Sequence, residues 1–411
     1  MRFTTRILLA ATLTTVLTAC GSTLSGAPLP GETDISTLDV GSYPTEPLNA
    51  HDDDPVPPFY KMYEVAAMRL ADFVINSGEI DPAMKYGKRA RSVSAGVMPW
   101  ALGDDGVMSP IAKTHKLLYG FESSGASRDT SVNTLGGWPS KRDDNELTAS
   151  TMVFQFPTAE QAAAAAQEFH DADLAAQEDR NQPVDLPDYP AAKSHWRPDS
   201  PFLRTLLPHG PYVIAFLLSV ESPDQQALVT LAQTAYAKQI EALDKTTPLS
   251  DKEVMTLPWD PDHLAMRTLN PEELTSPDGS GFYLVTGRHG ILHYSGDPLP
   301  SDRGYIAEQL TKMDAQQVAL SWGSIGIRTP DAATARRAVT EQLFPWQVEA
   351  DADAAPNLPD SACVENRSLA APKRFSCILA YNEYVGIVSG NQLLDAQQRA
   401  AAQYALFANT R

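Results

Sequence analysis

The sequence predicts an α+β fold made of two related βαββα-type halves with antiparallel or mixed sheets, on a flexible, lipidated N-terminal stalk. Three observations predict it: an apolar leader that ends at Cys20, a secondary-structure pattern that occurs twice, and two further cysteines in the second copy. The chain has 411 residues, which is long for a single hydrophobic core. We expect a signal peptide at 1–19, a lipidated tether at 20–54, an N-terminal domain at 55–247 and a C-terminal domain at 248–411.

The leader has the pattern of a bacterial secretory signal. Arg2 and Arg6 precede an uncharged stretch at 7–17, which is shorter than the roughly 20 residues needed to span a bilayer. Leu17-Thr18-Ala19-Cys20 resembles a lipobox, in which the cysteine sulfur takes a diacylglycerol and fatty acids such as palmitate acylate the new amine. Two or three acyl chains give firm anchoring at about 0.8 kcal/mol per buried CH₂. The alternative is an ordinary secretory signal with a chance cysteine.

The charge balance excludes several classes of partner. The chain carries 51 acidic and 32 basic residues, a net charge of −19. Removal of residues 1–19 takes away two arginines, so the mature chain has 30 basic residues and a net charge of −21. Such a surface repels nucleic acid and anionic lipid head groups. Because no later apolar run reaches membrane-spanning length, we expect the lipid alone to hold the protein on the extracytoplasmic face of the cell membrane.

Residues 21–54 are rich in Gly, Ser, Thr, Pro and Asp and predict a tether with a reach of roughly 30 Å. The run His51–Asp54 lacks the glycine turn and closing glutamate of a calcium loop, so we interpret it as a solvated linker. A helix follows, with apolar residues from Phe59 to Phe73 at helical spacing. Residues 87–140 are broken by glycines and prolines and predict only short strands at 92–98 and 115–121.

Four features near the N terminus occur together. They are the lipobox, the segment Asp39-x-Gly41-x-Tyr43-Pro44-Thr45, the helical Arg69-Leu70-Ala71-Asp72 and the exit Glu79-Ile80-Asp81-Pro82. Together they resemble an uncharacterised, domain-of-unknown-function family of cell-envelope lipoproteins from mycobacteria, nocardiae and their relatives. The resemblance implies a lipid-anchored protein with an N-terminal domain of unknown function and a smaller C-terminal one. It transfers the role of Cys20 and no catalytic residue.

The repeated pattern is strand, helix, strand, strand, helix. In both copies a strand stops at a proline, Pro157 and Pro330, and a later strand begins at a tyrosine, Tyr212 and Tyr384. The offsets are 330 − 157 = 173 and 384 − 212 = 172, which favours a duplicated unit with helices on one face of a sheet. Coincidence between two common α+β arrangements is the alternative. The predicted strands lie at 148–156, 212–216, 318–328 and 384–388, and the helices at 158–177, 225–243, 331–343 and 393–408.

If Cys20 carries lipid, Cys363 and Cys377 remain as an even pair in an exported protein, which predicts a disulfide. Closing a loop of about 15 residues stabilises a fold by roughly 3 kcal/mol. The alternatives are free thiols or a metal site. Zinc sites normally use four ligands, and no other Cys or His lies close in sequence, so we expect no metal.

No standard catalytic motif is present. The sequence lacks a Gly-x-Ser-x-Gly elbow and a phosphate-binding loop. His289 and His293 lie in a predicted strand, where four residues span about 13 Å, so we expect two separate histidines. His195, His209 and His263 lie in predicted loops without partner spacing. Asp143, Asp144 and Glu146 are interpreted as a solvated acidic face. Five tryptophans lie within two residues of a proline or glycine, where each lines a cleft or seals a loop onto the core: Trp100, Trp138, Trp196, Trp259 and Trp346.

These features predict a cell-envelope lipoprotein that binds a ligand or partner without catalysis, a lipid, a glycan or an envelope protein being the expected class. No cofactor and no nucleic acid are expected. The alternative is an exported hydrolase with a non-standard carboxylate or histidine site. A pocket of converging titratable side chains favours the hydrolase, and an apolar groove favours the binding protein.

Overall fold

The computed structural model describes residues 33–47, 61–129, 146–260, 262–279, 281, 283–295, 299–366 and 373–409. Outside this part of the chain lie Cys20 and its lipobox, His51–Asp54, Trp138, Asp143 and Asp144. No helix in the described part is both long and apolar enough to cross a membrane. Ile35–Arg411 form one compact unit, within which two seven-stranded sheets lie one after the other in sequence.

The elements of the first half precede those of the second, and α1 packs against strands of both sheets. The first sheet contains β1 (Tyr86–Val93), β2 (Tyr119–Ala126), β3 (Thr148–Gln155), β4 (Gln182–Pro183), β5 (Lys193–Trp196), β6 (Phe202–His209) and β7 (Tyr212–Ser219). The second contains β8 (Tyr283–Gly287), β9 (Gln317–Ser321), β10 (Ser324–Arg328), β11 (Ala350–Ala352), β12 (Ser361–Glu365), β13 (Phe375–Tyr381) and β14 (Tyr384–Gly390). The helices are α1 (Met62–Leu70), α2 (Ser77–Ile80), α3 (Asp105–Thr114), α4 (Ala159–Ala175), α5 (Gln225–Leu243), α6 (Asp251–Val254), α7 (Leu264–Arg267), α8 (Arg303–Lys312), α9 (Ala332–Thr340) and α10 (Leu393–Asn409).

The two sheets have the same strand order. It is β1-β2-β3-β7-β6-β5-β4 in the first and β8-β9-β10-β14-β13-β12-β11 in the second, and every neighbouring pair is antiparallel. The helices correspond as well: α3 and α8 follow the first strand, α4 and α9 the third, and α5 and α10 the seventh. The predicted α+β class with two related halves is therefore confirmed, and both sheets are antiparallel.

The register of the central strands is also the same in both halves. Gln155 of β3 pairs with Tyr212 of β7, and Arg328 of β10 pairs with Tyr384 of β14. These positions differ by 173 and 172 residues, the offsets seen in the sequence. The prolines that follow β3 and β10 cannot donate to a strand ladder, so both strands end one residue before reaching them.

The repeat is larger than the sequence indicated. The segment 318–328 was predicted as one strand, but it forms β9 and β10 joined by a turn at Trp322 and Gly323. Gly323 has φ +83°, which permits this tight reversal. A helix, α3, lies within residues 87–140, where only short strands were predicted. Pro110 lies inside this helix.

Helices cover both faces of the first sheet, not one face as predicted. Along β7, Ile214 and Phe216 pack with the core that contains α5. Alternate residues point to opposite faces of a strand, and Val213 and Ala215 pack with a second core that contains α3 and α4. The helix starts follow the sequence: Thr158 caps α4 by accepting a hydrogen bond from the amide of Gln161.

Residues 35–47 lie in the predicted tether, yet they pack on α10. The Asp395 carboxylate accepts a hydrogen bond from the Tyr43 hydroxyl, and the Asn409 amide donates to the Thr45 carbonyl over 2.8 Å. The Gln398 amide reaches the Asp39 carboxylate at 3.0 Å. The segment that carries the family resemblance is thus part of the folded unit, because its polar groups meet the exposed side of the last helix.

Candidate functional site

At one end of the first sheet, the strands border two small cavities. A row of directly opposed residues crosses the strands there, from Ser124 through Ser150, Leu217 and Arg204 to His195. Two adjoining cavities of about 210 and 190 Å³ lie over this row. We call them together the sheet-1 groove, which is lined by Lys88, Trp100, Ser124, Gly125, Glu146, Thr148, Ala149, Ser150, Asn181, His195, Trp196, Arg197, Ser200, Phe202, Arg204 and Leu217.

The groove is apolar in its middle and polar towards β5. Trp100, Phe202 and Leu217 line both cavities, so they form a continuous apolar surface where the cavities meet. Trp100 is 46% exposed. Arg197 and Arg204 line only the cavity towards β5. The arrangement suits a ligand with an apolar portion and a polar end.

A buried carboxylate organises the polar end. Asp173 of α4 meets the His195 ring at 2.9 Å and Nη1 of Arg204 at 2.9 and 3.0 Å. Burial raises the pKa of Asp173, but these two partners outweigh it and the pKa lies below its usual value. Arg204 also donates to the carbonyl of Ala101, next to Trp100. The carboxylate therefore fixes both the basic side chains and the loop that carries the exposed indole.

The acids and bases of the groove nearly balance. Lys88 pairs with Glu146 at 2.8 Å, and Glu146 is almost fully buried. Glu146 is therefore a buried ion-pair partner and not part of the predicted solvated face. In the described part of the chain, the three cations Lys88, Arg197 and Arg204 exceed the two acids Glu146 and Asp173 by one charge. The local balance is thus positive within a chain of net charge −19.

Two of the predicted cleft tryptophans line the groove, Trp100 and Trp196. Trp259 and Trp346 are 5% and 3% exposed and seal the core. Trp259 packs edge-on against Tyr283 at 5.1 Å between ring centres. Both sequence interpretations therefore apply, each to different tryptophans. Trp322, at the β9–β10 turn, lines a separate cavity; it precedes Gly323 but was not among the predicted cleft tryptophans.

The histidine predictions are partly wrong. His289 and His293 do not lie along a strand, because β8 ends at Gly287 and a 3-10 helix spans Gly290–His293. Their ring centres are only 5.4 Å apart. The remaining three have partners that sequence spacing did not show, since each partner is distant in the chain or is the sulfur of a nearby methionine. His195 lies in β5 and meets Asp173, His209 ends β6 and meets Asp244, and His263 meets the sulfur of Met266.

A second titratable cluster joins the two halves. Asp72 accepts hydrogen bonds from the amides of Gly287 and Gly290, at 2.8 and 2.7 Å, and Glu79 meets His289 at 2.9 Å. His293 lies between the hydroxyl of Ser123 and the carbonyl of Ala71. The two motifs Arg69–Asp72 and Glu79–Pro82 thus contribute directly to the contact between halves, which we call the joint.

The joint also contains a buried arginine. Arg303 is 2% exposed and donates to the carbonyls of Ser124 and His293 at 2.9 and 2.8 Å. Gly87 and Gly125 leave the space that its guanidinium fills, since a Cβ at either position would overlap it. Burial lowers the pKa of Arg303 to about 9, so it remains charged at neutral pH. These closely packed, internally bonded groups indicate a structural role for the joint.

The structure contains the predicted disulfide. Cys363 of β12 and Cys377 of β13 are directly opposed and bonded, with 4.1 Å between their Cα atoms. Among the described residues, no group of three or more His, Cys, Asp or Glu side chains is placed to hold a metal ion.

Comparison with known proteins identifies an uncharacterised family. Models for the N-terminal and C-terminal parts of a domain of unknown function, DUF7373, match residues 54–259 and 264–410. The two matched regions each contain one of the sheets. The crystal structure of the extracellular domain of PknH from Mycobacterium tuberculosis is similar, with 13% identity, a TM-score of 0.30, and 44% of this chain and 97% of that chain covered. No curated protein matches the chain.

Proposed function

The chain belongs to the DUF7373 family, and from the geometry of the sheet-1 groove we propose that it is a non-catalytic envelope lipoprotein that binds an amphiphile with an anionic head group. The observation that carries the proposal is the continuity of an apolar surface, made by Trp100, Phe202 and Leu217, with a cavity that contains Arg197 and Arg204. The apolar surface suits an acyl chain, and the guanidinium groups suit a phosphate or carboxylate.

Anchoring forms part of the proposal. Leu17-Thr18-Ala19-Cys20 supports lipidation at Cys20, with the folded unit on the extracytoplasmic face of the membrane. The cross-strand disulfide in β12 and β13 fits an oxidising compartment. Replacement of Cys20→Ala should abolish labelling by a fatty-acid analogue in cells, as seen by gel fluorescence. Labelling that persists in this variant would remove lipidation at Cys20 from the proposal.

Head-group recognition is tested with two short-chain probes. Octyl phosphate and 1-octanol share a chain, but only the first carries an anionic head group, and titration calorimetry measures their affinity. Arg197→Gln should weaken the binding of octyl phosphate about tenfold, because a charge-assisted hydrogen bond contributes about 1.5–3 kcal/mol, and should change the binding of 1-octanol little. Arg197 is the better choice than Arg204, since Arg204 also holds Asp173 and the Trp100 loop.

The apolar surface is tested with Trp100→Ala, which should lower the affinity for both probes by a similar factor. Trp322→Ala is a matched control: the two indoles are 46% and 45% exposed, and Trp322 lies in the other half. It should leave both affinities unchanged. Failure of the unaltered protein to bind either probe, or equal effects of the two tryptophan replacements, would contradict the proposal.

A second candidate function is a hydrolase, because Asp173 orients His195 as a carboxylate orients the base of a catalytic triad. Within the described residues, Nδ1 of His195 is buried and has no hydrogen-bond partner, so no nucleophile is engaged. Hydrolysis of p-nitrophenyl octanoate by the purified protein, lost in His195→Gln but not in Arg197→Gln, would favour this candidate. Absence of turnover would favour the binding protein.

A further inference from the structure

A larger cavity lies at the corresponding end of the second sheet. It has a volume of about 550 Å³ and opens between the β9–β10 turn, the end of β14 and the start of α10. We call it the sheet-2 pocket, and the side chains that matter for its chemistry are Glu272, Trp322, Lys373, Asp395, Gln398 and Arg399. It is separate from the sheet-1 groove, with which it shares no residue.

An indole forms one wall of this pocket. Trp322 stands at the tip of the two-residue turn, and 45% of it is exposed. The turn itself is tight, since β9 and β10 pair up to Ser321 and Ser324 on either side of it. A planar, half-exposed aromatic surface beside a polar cavity offers a stacking platform for a ring that has one apolar face.

The opposite wall is polar and held in place from behind. The Asp395 carboxylate accepts hydrogen bonds from the Tyr43 hydroxyl and from Nε of Arg399, the latter at 3.2 Å. The Arg399 guanidinium lies over the Tyr43 ring, 4.7 Å from its centre. The Gln398 amide is held by Asp39. Residues 39–43 therefore fix the polar groups before any ligand arrives, which reduces the entropy cost of binding.

The charges of the pocket cancel. Among the described lining residues, Glu272 and Asp395 supply two negative charges, and Lys373 and Arg399 supply two positive ones. A phosphate or sulfate group entering the pocket would meet two carboxylates, and an acyl chain would lie against a lining that is more polar than apolar. A neutral molecule rich in hydroxyl groups meets neither penalty, because carboxylates accept and cationic and amide groups donate hydrogen bonds to hydroxyls.

From the indole platform, the fixed polar wall and the charge balance, we propose that the sheet-2 pocket binds a neutral saccharide. One sugar ring stacks its C–H face on Trp322, and its hydroxyls bond to Asp395, Gln398 and Arg399. This inference does not depend on the amphiphile proposal, because the two sites lie in different halves and each is tested with its own probes.

The experiment uses the folded, non-lipidated chain and three neutral trisaccharides, made of glucose, mannose or N-acetylglucosamine. Saturation-transfer difference NMR should show transfer from the protein to ring protons of at least one trisaccharide. Trp322→Ala should weaken that affinity at least about tenfold, as for an interface anchor. Trp100→Ala, matched in exposure, should leave it unchanged, and a circular dichroism melt of each variant checks folding.

Inorganic phosphate serves as a competitor. It should not displace the trisaccharide, since the pocket carries no net charge. Three outcomes would overturn the proposal: no transfer to any trisaccharide, unchanged affinity in a folded Trp322→Ala variant, or displacement by phosphate. Self-association through Trp322, seen as a concentration-dependent mass that Trp322→Ala abolishes, would also overturn it, because the indole would then be covered by a second copy.

Discussion

The two halves carry different residue pairs at one corresponding cross-strand position. In the first half Ser194 and Thr205 are directly opposed, and their hydroxyls hydrogen-bond at 2.6 Å. Thr205 corresponds to Cys377 at the offset of 172, so the second half places its disulfide at the same cross-strand pair. Tyr236 of α5 adds a hydroxyl contact of 2.8 Å to Thr205. Both halves thus place two small side chains that bond to each other at this cross-strand pair. The bond is a hydrogen bond in the first half and a disulfide in the second.

A second pair of positions is chemically identical. Gln239 of α5 accepts from the amide of Ile75 and donates to the carbonyl of Phe73. Gln403 of α10 accepts from the amide of Leu269 and donates to the carbonyl of Arg267. Both glutamines are fully buried, and each bridges the last residue of a short helical segment and the residue two positions later. This contact fixes the entry of each half against its last helix, where an unpaired backbone group would be costly.

The halves diverge at the two proposed ligand sites. β2 and β3 have eight residues each, whereas β9 and β10 have five and are closed by the Trp322 turn. At the offset of 172, Leu217 and Arg204 correspond to Ser389 and Ser376, which are buried and bonded to each other at 2.9 Å. The first half therefore has a long apolar and an arginine side chain at this position, whereas the second half has two small hydroxyls, one of which, Ser389, lines the sheet-2 pocket. The shared architecture carries two different surfaces.

The largest expected effect comes from the buried glutamines. Gln403→Met and Gln239→Met keep the side-chain length but leave a buried amide and a buried carbonyl unpaired. Each should lower the free energy of unfolding by about 4 kcal/mol, because an unpaired buried group costs about 1–3 kcal/mol. Gln226→Met, on the exposed side of α5, is the control and should change stability by less than about 0.5 kcal/mol. Urea unfolding measures all three. A large difference between the stability losses of Gln239→Met and Gln403→Met would show that the two glutamines are not equivalent.

The next effect exchanges the cross-strand pairs between halves. Cys363→Ser with Cys377→Thr should lower the free energy of unfolding by about 3 kcal/mol relative to the oxidised protein. Relative to the reduced protein the change should be small. Ser194→Cys with Thr205→Cys should form a disulfide in the first half.

The gain from the new disulfide should be smaller, about 1 kcal/mol, because the Tyr236 hydroxyl loses its partner. Urea unfolding with and without a reductant, together with thiol alkylation, measures both exchanges. Two alkylatable thiols in the unaltered, non-reduced protein would contradict the disulfide itself.

The smallest effect concerns the joint, where the halves are not interchangeable. Burial and the charges of His289 and Arg303 hold the pKa of His293 well below its usual value. Below about pH 6.5 this histidine binds a proton in the unfolded chain but stays neutral in the folded one. The free energy of unfolding therefore decreases as the pH is lowered, by up to about 1.4 kcal/mol per pH unit. Burial opposes the charge on His289, but Glu79 and Asp72 outweigh it and raise its pKa.

The raised pKa of His289 contributes stability that is present below about pH 6.5 and lost as the pH rises through the folded value. It therefore offsets part of the acid loss caused by His293. His289→Gln should make the loss between about pH 7 and pH 5.5 larger by roughly 1 kcal/mol. Urea unfolding at the two pH values measures this. A loss that is unchanged or smaller in His289→Gln would show that the histidine pair does not control acid stability.

Much of the fold was determined by the sequence itself. The prolines after β3 and β10, the tyrosines that begin β7 and β14 and the helix cap at Thr158 act locally, so spacing and propensity sufficed to locate them. The oxidised pair Cys363–Cys377 also followed from counting cysteines. What local pattern missed were elements that depend on tertiary packing, such as α3 with its internal proline and the β9–β10 turn.

The candidate sites were decided by the tertiary structure. Asp173 of α4 contacts His195 of β5, and Glu146 forms a buried ion pair with Lys88. Tyr43 hydrogen-bonds to Asp395, a pocket residue 352 positions later in the chain. No spacing in the chain encodes such contacts, because strand order and register, not sequence distance, bring those side chains together. The sequence determined most strands and helices of the repeated unit and predicted an anchor at Cys20. The antiparallel pairing of distant strands decided which polar side chains share a cavity. Only in the assembled sheet do residues from distant parts of the chain lie side by side.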